Sequence, residues 1–166
     1  MTTKDVNVIK KDRMRYTKNS LSATLCYVAI LFNVLYFANI YSSDVANDVG
    51  EFYYTANIGA SVVYNLLFLL FTFLCSEGVK KYSKGYSIAL IVIGAMQIVR
   101  ILGIPVSAHN ATIIINSAET PVMGDAQFFL VVAFLIASSI CCIAAGVIGV
   151  VKTVILENYK KEIGVQ

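Results

Sequence analysis

An arginine stands inside an otherwise apolar run, GAMQIVRILGIP, from Gly94 to Pro105. At the centre of a bilayer such a group costs roughly 2.5–3.5 kcal/mol on insertion scales, so a chain that keeps one there supplies partners or a route to water. Arg100 offers five donors in a planar fork, which suits carbonyls, carboxylates or a bound anion. Counted at 1.5 Å per helical residue from Val106, it lies about 9 Å and Gln97 about 13 Å below that membrane edge. By the same count Asn57 and Ser61, and Tyr36 and Asn33, reach these two levels on neighbouring spans. Arg100, Gln97, Asn57, Ser61, Asn33 and Tyr36 are therefore the expected polar cluster. Three roles compete for Arg100: a structural tie to outer acids or carbonyls, which is the expectation, a site for an anion or polar ligand, and a side chain extended to the interface.

Other chemistry is poorly supplied. Ser61, Ser138 and Ser139 have no histidine or lysine at their depth to activate them. Cys26, Cys75, Cys141 and Cys142 form no Cys-x-x-Cys pair, and the single histidine, His109, cannot build a multi-histidine metal site or a bis-histidine haem. No Asp or Glu interrupts the apolar blocks, which argues against ion-driven transport through an embedded carboxylate. No cofactor, metal or catalytic residue is expected.

The elements that must position the cluster are read from hydropathy. With 58% hydrophobic and 14% charged residues, the chain is far from the roughly 45–50% and 25% of soluble domains. Four blocks, 20–41, 52–75, 86–108 and 127–151, each suffice to cross a hydrocarbon core about 30 Å thick. The first is too long for a signal-peptide core and is taken as an uncleaved span. The expected fold is an all-α membrane protein: a four-helix transmembrane bundle with short loops over 20–151, a basic segment over 1–19 and a tail over 152–166. The stretch from Lys4 to Lys18 reads either as a helix lying on the membrane surface or as a solvated tail.

Basic residues outside the blocks sit on one side. Lys4, Lys10, Lys11, Arg13, Arg15 and Lys18 precede the first span, Lys80, Lys81 and Lys84 join the second and third, and Lys152, Lys160 and Lys161 follow the fourth. The other two loops contain only acids: Asp44, Asp48 and Glu51, then Glu119 and Asp125. Both termini are expected in the cytoplasm of a plasma-membrane protein, facing anionic lipid. The net charge of +3 conceals this polarity and does not suggest nucleic-acid binding.

In the fourth span Ala133, Ala137, Cys141, Ala145 and Gly149 recur every four residues, a row that lets helices approach closely in lipid. Its partner is either another span of the chain or a second subunit. In the long outer loop the β-branched run from Thr112 to Asn116, followed by SAET and Pro121, predicts a small outer hairpin. Composition and short loops suggest a bacterial source. The functional expectation is a non-enzymatic accessory subunit of a membrane complex, such as a transporter, partnered by another membrane protein or by copies of itself. The alternative is an oligomeric channel or small-solute or anion carrier with its polar site at Arg100.

Overall fold

A computed structural model of the chain describes residues 3–41, 52–110, 112–115, 118–121 and 123–164, with side chains placed over 8–40, 59–110, 112 and 123–164. The elements are α1 (Thr3–Tyr16), α2 (Ser20–Tyr41), α3 (Phe52–Lys80), α4 (Lys84–Ile101), α5 (Ile104–Asn110), β1 (Thr112–Ile115), β2 (Ala118–Pro121) and α6 (Asp125–Glu162). Four helical stretches are long and apolar enough to cross a membrane: Ser20–Ile40, Gly59–Lys80, Lys84–Asn110 and Asp125–Glu162. In hydrocarbon every backbone N–H and C=O must bond within its own segment, which is why runs of this composition become helices. β1 and β2 pair antiparallel, Thr112 opposite Pro121 and Ile115 opposite Ala118.

The four long helices form a ring in which α6 packs on α4 and α2, and α3 closes the circuit between α2 and α4. Each turns inward one stripe with steps of three and four: Cys26, Ala29, Asn33, Tyr36 and Ile40 on α2; Asn65, Phe68, Thr72, Cys75 and Val79 on α3; Ser87, Leu90, Gly94 and Gln97 on α4. On α6 the stripe runs Val131, Leu135, Ser138, Cys142, Ala145, Gly149. A period near 3.5 is the seam of a left-handed bundle. The outward positions, among them Val63, Leu66, Leu70 and Phe73 on α3, are exposed and apolar, as a hydrocarbon-facing surface requires.

The seam explains the fate of the small-residue row. A four-residue repeat drifts about 40° per step around a helix of 3.6 residues per turn. Ala145 and Gly149 are accordingly buried, Ala137 and Cys141 half-buried and Ala133 exposed. α4 and α6 approach closely at Gly94, Gly146 and Gly149. A Cβ on Gly146 would lie 2.6 Å from the Ser87 carbonyl oxygen, and one on Gly149 would lie 2.5 Å from the Ser87 hydroxyl. Ser139 donates a 2.7 Å hydrogen bond to the Gly94 carbonyl and Ser138 a 2.9 Å bond to that of Ala29. These contacts join α6 to α4 and α2 of the same chain.

Two local features set helix lengths. The α3–α4 connection is a tight turn: Tyr82 N–H bonds the Val79 carbonyl and Ser83 N–H that of Gly78, with Tyr82 at φ 56°. This is a helix C-terminus closed by a left-handed residue, and here that residue is not glycine. The third span is broken rather than continuous. Pro105 has no N–H for the Ile101 carbonyl, and its ring disfavours the carbonyl four residues back. The helix ends at Ile101, Gly103 N–H bonds the Arg100 carbonyl at 3.0 Å, and α5 begins at Ile104.

α6 is 38 residues, about 57 Å long, and outruns the bundle at its basic end. There α1 packs against it, with Lys11 Nζ 3.9 Å from Glu162 and 6.0 Å from the centre of the Tyr159 ring.

Candidate functional site

Arg100 leaves the last turn of α4 and reaches across the bundle. Its side chain leans toward the N-terminal end of its own helix, as helical side chains do, so it points deeper than its Cα. One terminal nitrogen donates to Asn65 Oδ1 at 2.7 Å and to Asn33 Oδ1 at 3.3 Å, and the other lies 3.5 Å from the Ser61 hydroxyl. The guanidinium carbon sits 4.4 Å from the centre of the Tyr36 ring and 4.9 Å from that of Tyr64. The charge is thus held between two aromatic rings and two amide oxygens, contacts that gain strength away from water.

Because arginine only donates, the carbonyl ends of Asn33 and Asn65 must face it, which fixes both amides. Asn33 Nδ2 then donates to Asn65 Oδ1 at 2.8 Å, and Gln97 Nε2 donates to Asn33 Oδ1 at 3.0 Å. Asn33, Asn65, Gln97 and Tyr36 are all buried. One contact set therefore ties α2, α3 and α4 together at a single level. Gln97 Oε1 is a buried acceptor with no donor among the described residues.

Of the expected cluster, Arg100, Gln97, Asn33, Ser61 and Tyr36 come together. Asn57 lies on α3, but its side chain falls outside the described ones. The expected acids Asp44, Asp48 and Glu51 lie outside the described residues, as does the side chain of Glu119. Asp125 meets a different group: its carboxylate is 3.8 Å from His109 Nε2, and the His109 ring stacks on Phe128 at 4.4 Å. Sequence reasoning left Asn65 and Tyr64 out of the cluster. The sequence does place both on the face of the second span expected to point inward, with Asn57, Ser61 and Thr72, at steps of three, four or more residues.

A second polar junction closes the opposite end. Asn19 N–H bonds the Lys80 carbonyl at 3.1 Å, Asn19 Nδ2 donates to the Ser22 hydroxyl at 2.8 Å, and Lys152 Nζ donates to Asn19 Oδ1 at 2.9 Å. Beside it, Lys80 pairs with Glu77 and donates to the Tyr27 hydroxyl at 2.8 Å. Between the junctions the interior is mostly apolar, formed by Ala29, Phe68 and Cys142 and then Cys26, Cys75, Val79, Leu90 and Ala145, with buried hydroxyls at Thr72, Ser76, Ser87, Ser138 and Ser139. The four cysteines are free thiols. Among the described residues no group of three or more His, Cys, Asp and Glu is placed to hold a metal ion.

Fold and site define a class: a four-helix, multi-pass membrane protein whose helices are joined by a buried arginine–amide network. No family model, no curated protein and no solved structure matches the chain.

Proposed function

We propose that the chain is a non-enzymatic accessory subunit of a larger membrane assembly, such as a transport complex. Both termini face the cytoplasm of a plasma membrane, and anionic lipid headgroups lie against the basic end. β1 and β2, joined through residues 116 and 117, form a small hairpin at the outer surface. The observation that carries this reading is the closed interior of the bundle. The fork of Arg100 is engaged by Asn33, Asn65 and Ser61, the serine hydroxyls of α6 are committed to backbone carbonyls, and apolar clusters interspersed with the small hydroxyl side chains Thr72, Ser76 and Ser87 fill the space beneath. Such a bundle suits a scaffold that presents its surfaces. The close glycine contacts of α6 are made within the chain, so a partner is met elsewhere than along that seam.

The test is extraction from the native membrane in mild detergent, followed by mass analysis of the intact particle. A stoichiometric foreign membrane protein is expected. A particle made only of this chain would overturn the reading. One observation favours a second reading, a polar-solute or anion site in an oligomer: Gln97 Oε1 is a buried acceptor beside Arg100. That reading requires Arg100→Lys and Gln97→Leu to stay folded while losing a measurable flux or bound solute.

A further inference from the structure

The end of α6 and the first helix together raise a surface that the bundle does not use. Asn19 donates its N–H to the Lys80 carbonyl and accepts from Lys152 Nζ, so the start of α2, the end of α3 and residue 152 of α6 share one level. Lys18, Lys80, Lys81, Lys84 and Lys152 gather in the segments that reach it, which marks the boundary of the hydrocarbon. Glu162 lies ten residues beyond Lys152, so α6 continues about 15 Å past that boundary.

α1 accompanies this extension. Lys11 meets Tyr159 and Glu162 near its far end, and the chain returns through Tyr16 to Asn19 at the boundary. α1 therefore runs along this extension of α6, a segment whose sequence reads either as a surface-lying helix or as a solvated tail. Lys11, Met14 and Arg15 are half-buried, while Leu156 and Tyr159 of α6 are buried. Ile9, Arg13 and Tyr16, at i, i+4 and i+7, form an outward face, with Ile9 52% and Tyr16 79% exposed. Lys10 is also exposed, as are Lys160 and Lys161 on α6.

We propose that α1 and the protruding end of α6 form a docking stalk for an acidic surface of a cytoplasmic protein or domain, with Ile9 and Tyr16 as apolar anchors and Lys10, Arg13, Lys160 and Lys161 as charge partners. This rests on the cytoplasmic orientation and subunit role proposed above. Apolar anchors at i and i+7 with intervening charge match helix-borne recognition of a partner surface. The excess of Lys and Arg over the acids Asp5, Asp12, Glu157 and Glu162 sets the sign of that partner. The stand-off distance exceeds a Debye length at physiological salt, about 8 Å, so the far end of the stalk is screened from lipid headgroup charge.

The test uses the full chain in cells of its native host, with a photoreactive phenylalanine at Ile9, Tyr16 or, on the lipid-facing side of α3, Leu70. Irradiation is expected to give one discrete protein adduct at Ile9 and Tyr16, whose cross-linked peptide, read by mass spectrometry, is rich in Asp and Glu. The paired substitution Lys10→Glu with Arg13→Glu should lower that adduct about fivefold, the worth of roughly one exposed charge pair, without changing the yield at Leu70. Adducts to phospholipid, to a second copy of the chain or to a peptide without acidic excess would overturn the stalk. A foreign adduct at Leu70 with none at Ile9 or Tyr16 would sink the stalk and leave the subunit reading standing. Particles containing only this chain, with no foreign adduct at any position, would sink both.

Discussion

Replacing Arg100 by methionine removes the charge and fork while keeping a flexible side chain of comparable reach. The 2.7 Å bond to Asn65 involves a charged donor, for which about 1.5–3 kcal/mol is typical. Contact with the Tyr36 and Tyr64 rings adds about 0.5–2 kcal/mol per ring. Against these stands the cost of holding a guanidinium in the membrane, roughly 2.5–3.5 kcal/mol. The acceptors are not stranded, because Asn65 Oδ1 keeps the Asn33 amide and Asn33 Oδ1 keeps the Gln97 amide. Midpoints of roughly 5 and 3 kcal/mol leave Arg100→Met about 2 kcal/mol less stable than wild type. Arg100→Lys keeps the charge but replaces the planar five-donor fork by a single ammonium nitrogen, so it should fall between the two. Reversible unfolding of the purified proteins in mixed micelles of mild detergent and dodecyl sulfate, followed by circular dichroism, measures the series. A methionine variant as stable as wild type, or more so, would show that the network only tolerates the arginine.

Three other outcomes are expected. In a background without native cysteines, a cysteine at Asn47 or Asn116 should react with an impermeant reagent on intact cells and one at Ser83 should not, because Lys and Arg are confined to one side; the reverse pattern would invert the topology. Gly146→Leu should lower stability by more than about 3 kcal/mol, since even a Cβ there meets the Ser87 backbone and overpacking costs about 1–3 kcal/mol for smaller insertions; Leu70→Ala on the lipid face should be nearly silent in the same unfolding assay. Tyr82→Gly should raise stability by about 1 kcal/mol, because a side chain in the left-handed region costs about 1–2 kcal/mol and glycine does not; an unchanged unfolding midpoint would mean that contacts of the tyrosine ring compensate the strain.

Hydropathy made the four spans legible, because every backbone group in hydrocarbon is committed to its own helix and length alone then sets the count. Depth counting also brought Asn33, Ser61, Gln97 and Arg100 to adjacent levels. It measures Cα positions, however, and Arg100 projects back along α4 by about one turn, which is how Asn65 becomes its nearest amide. The break at Ile101 was written in Gly103 and Pro105, yet membrane helices often absorb proline, so the sequence admits a continuous span as well as a broken one. The small-residue row meets the seam only in part, at Ala145 and Gly149, for a geometric reason: a repeat of four drifts around the helix, whereas a bundle seam follows alternating steps of three and four, which brings in Leu135, Ser138 and Cys142. The packing of α1 on α6 depends on contacts such as Lys11 with Tyr159, between residues almost the whole chain apart, and no local pattern encodes it.

The arginine–amide network also carries an order of assembly. Asn33 and Asn65 belong to spans that leave the ribosome before the one bearing Arg100, so both acceptors can already be within the bilayer when the guanidinium arrives. Biosynthesis from the N-terminus thus delivers the costly charge last among the three, into a site furnished in advance. A circular permutant that begins at Lys84 would reverse that sequence, exposing Arg100 to lipid before either asparagine was made, and its defect would lie in insertion yield rather than in the stability of whatever molecules completed the bundle.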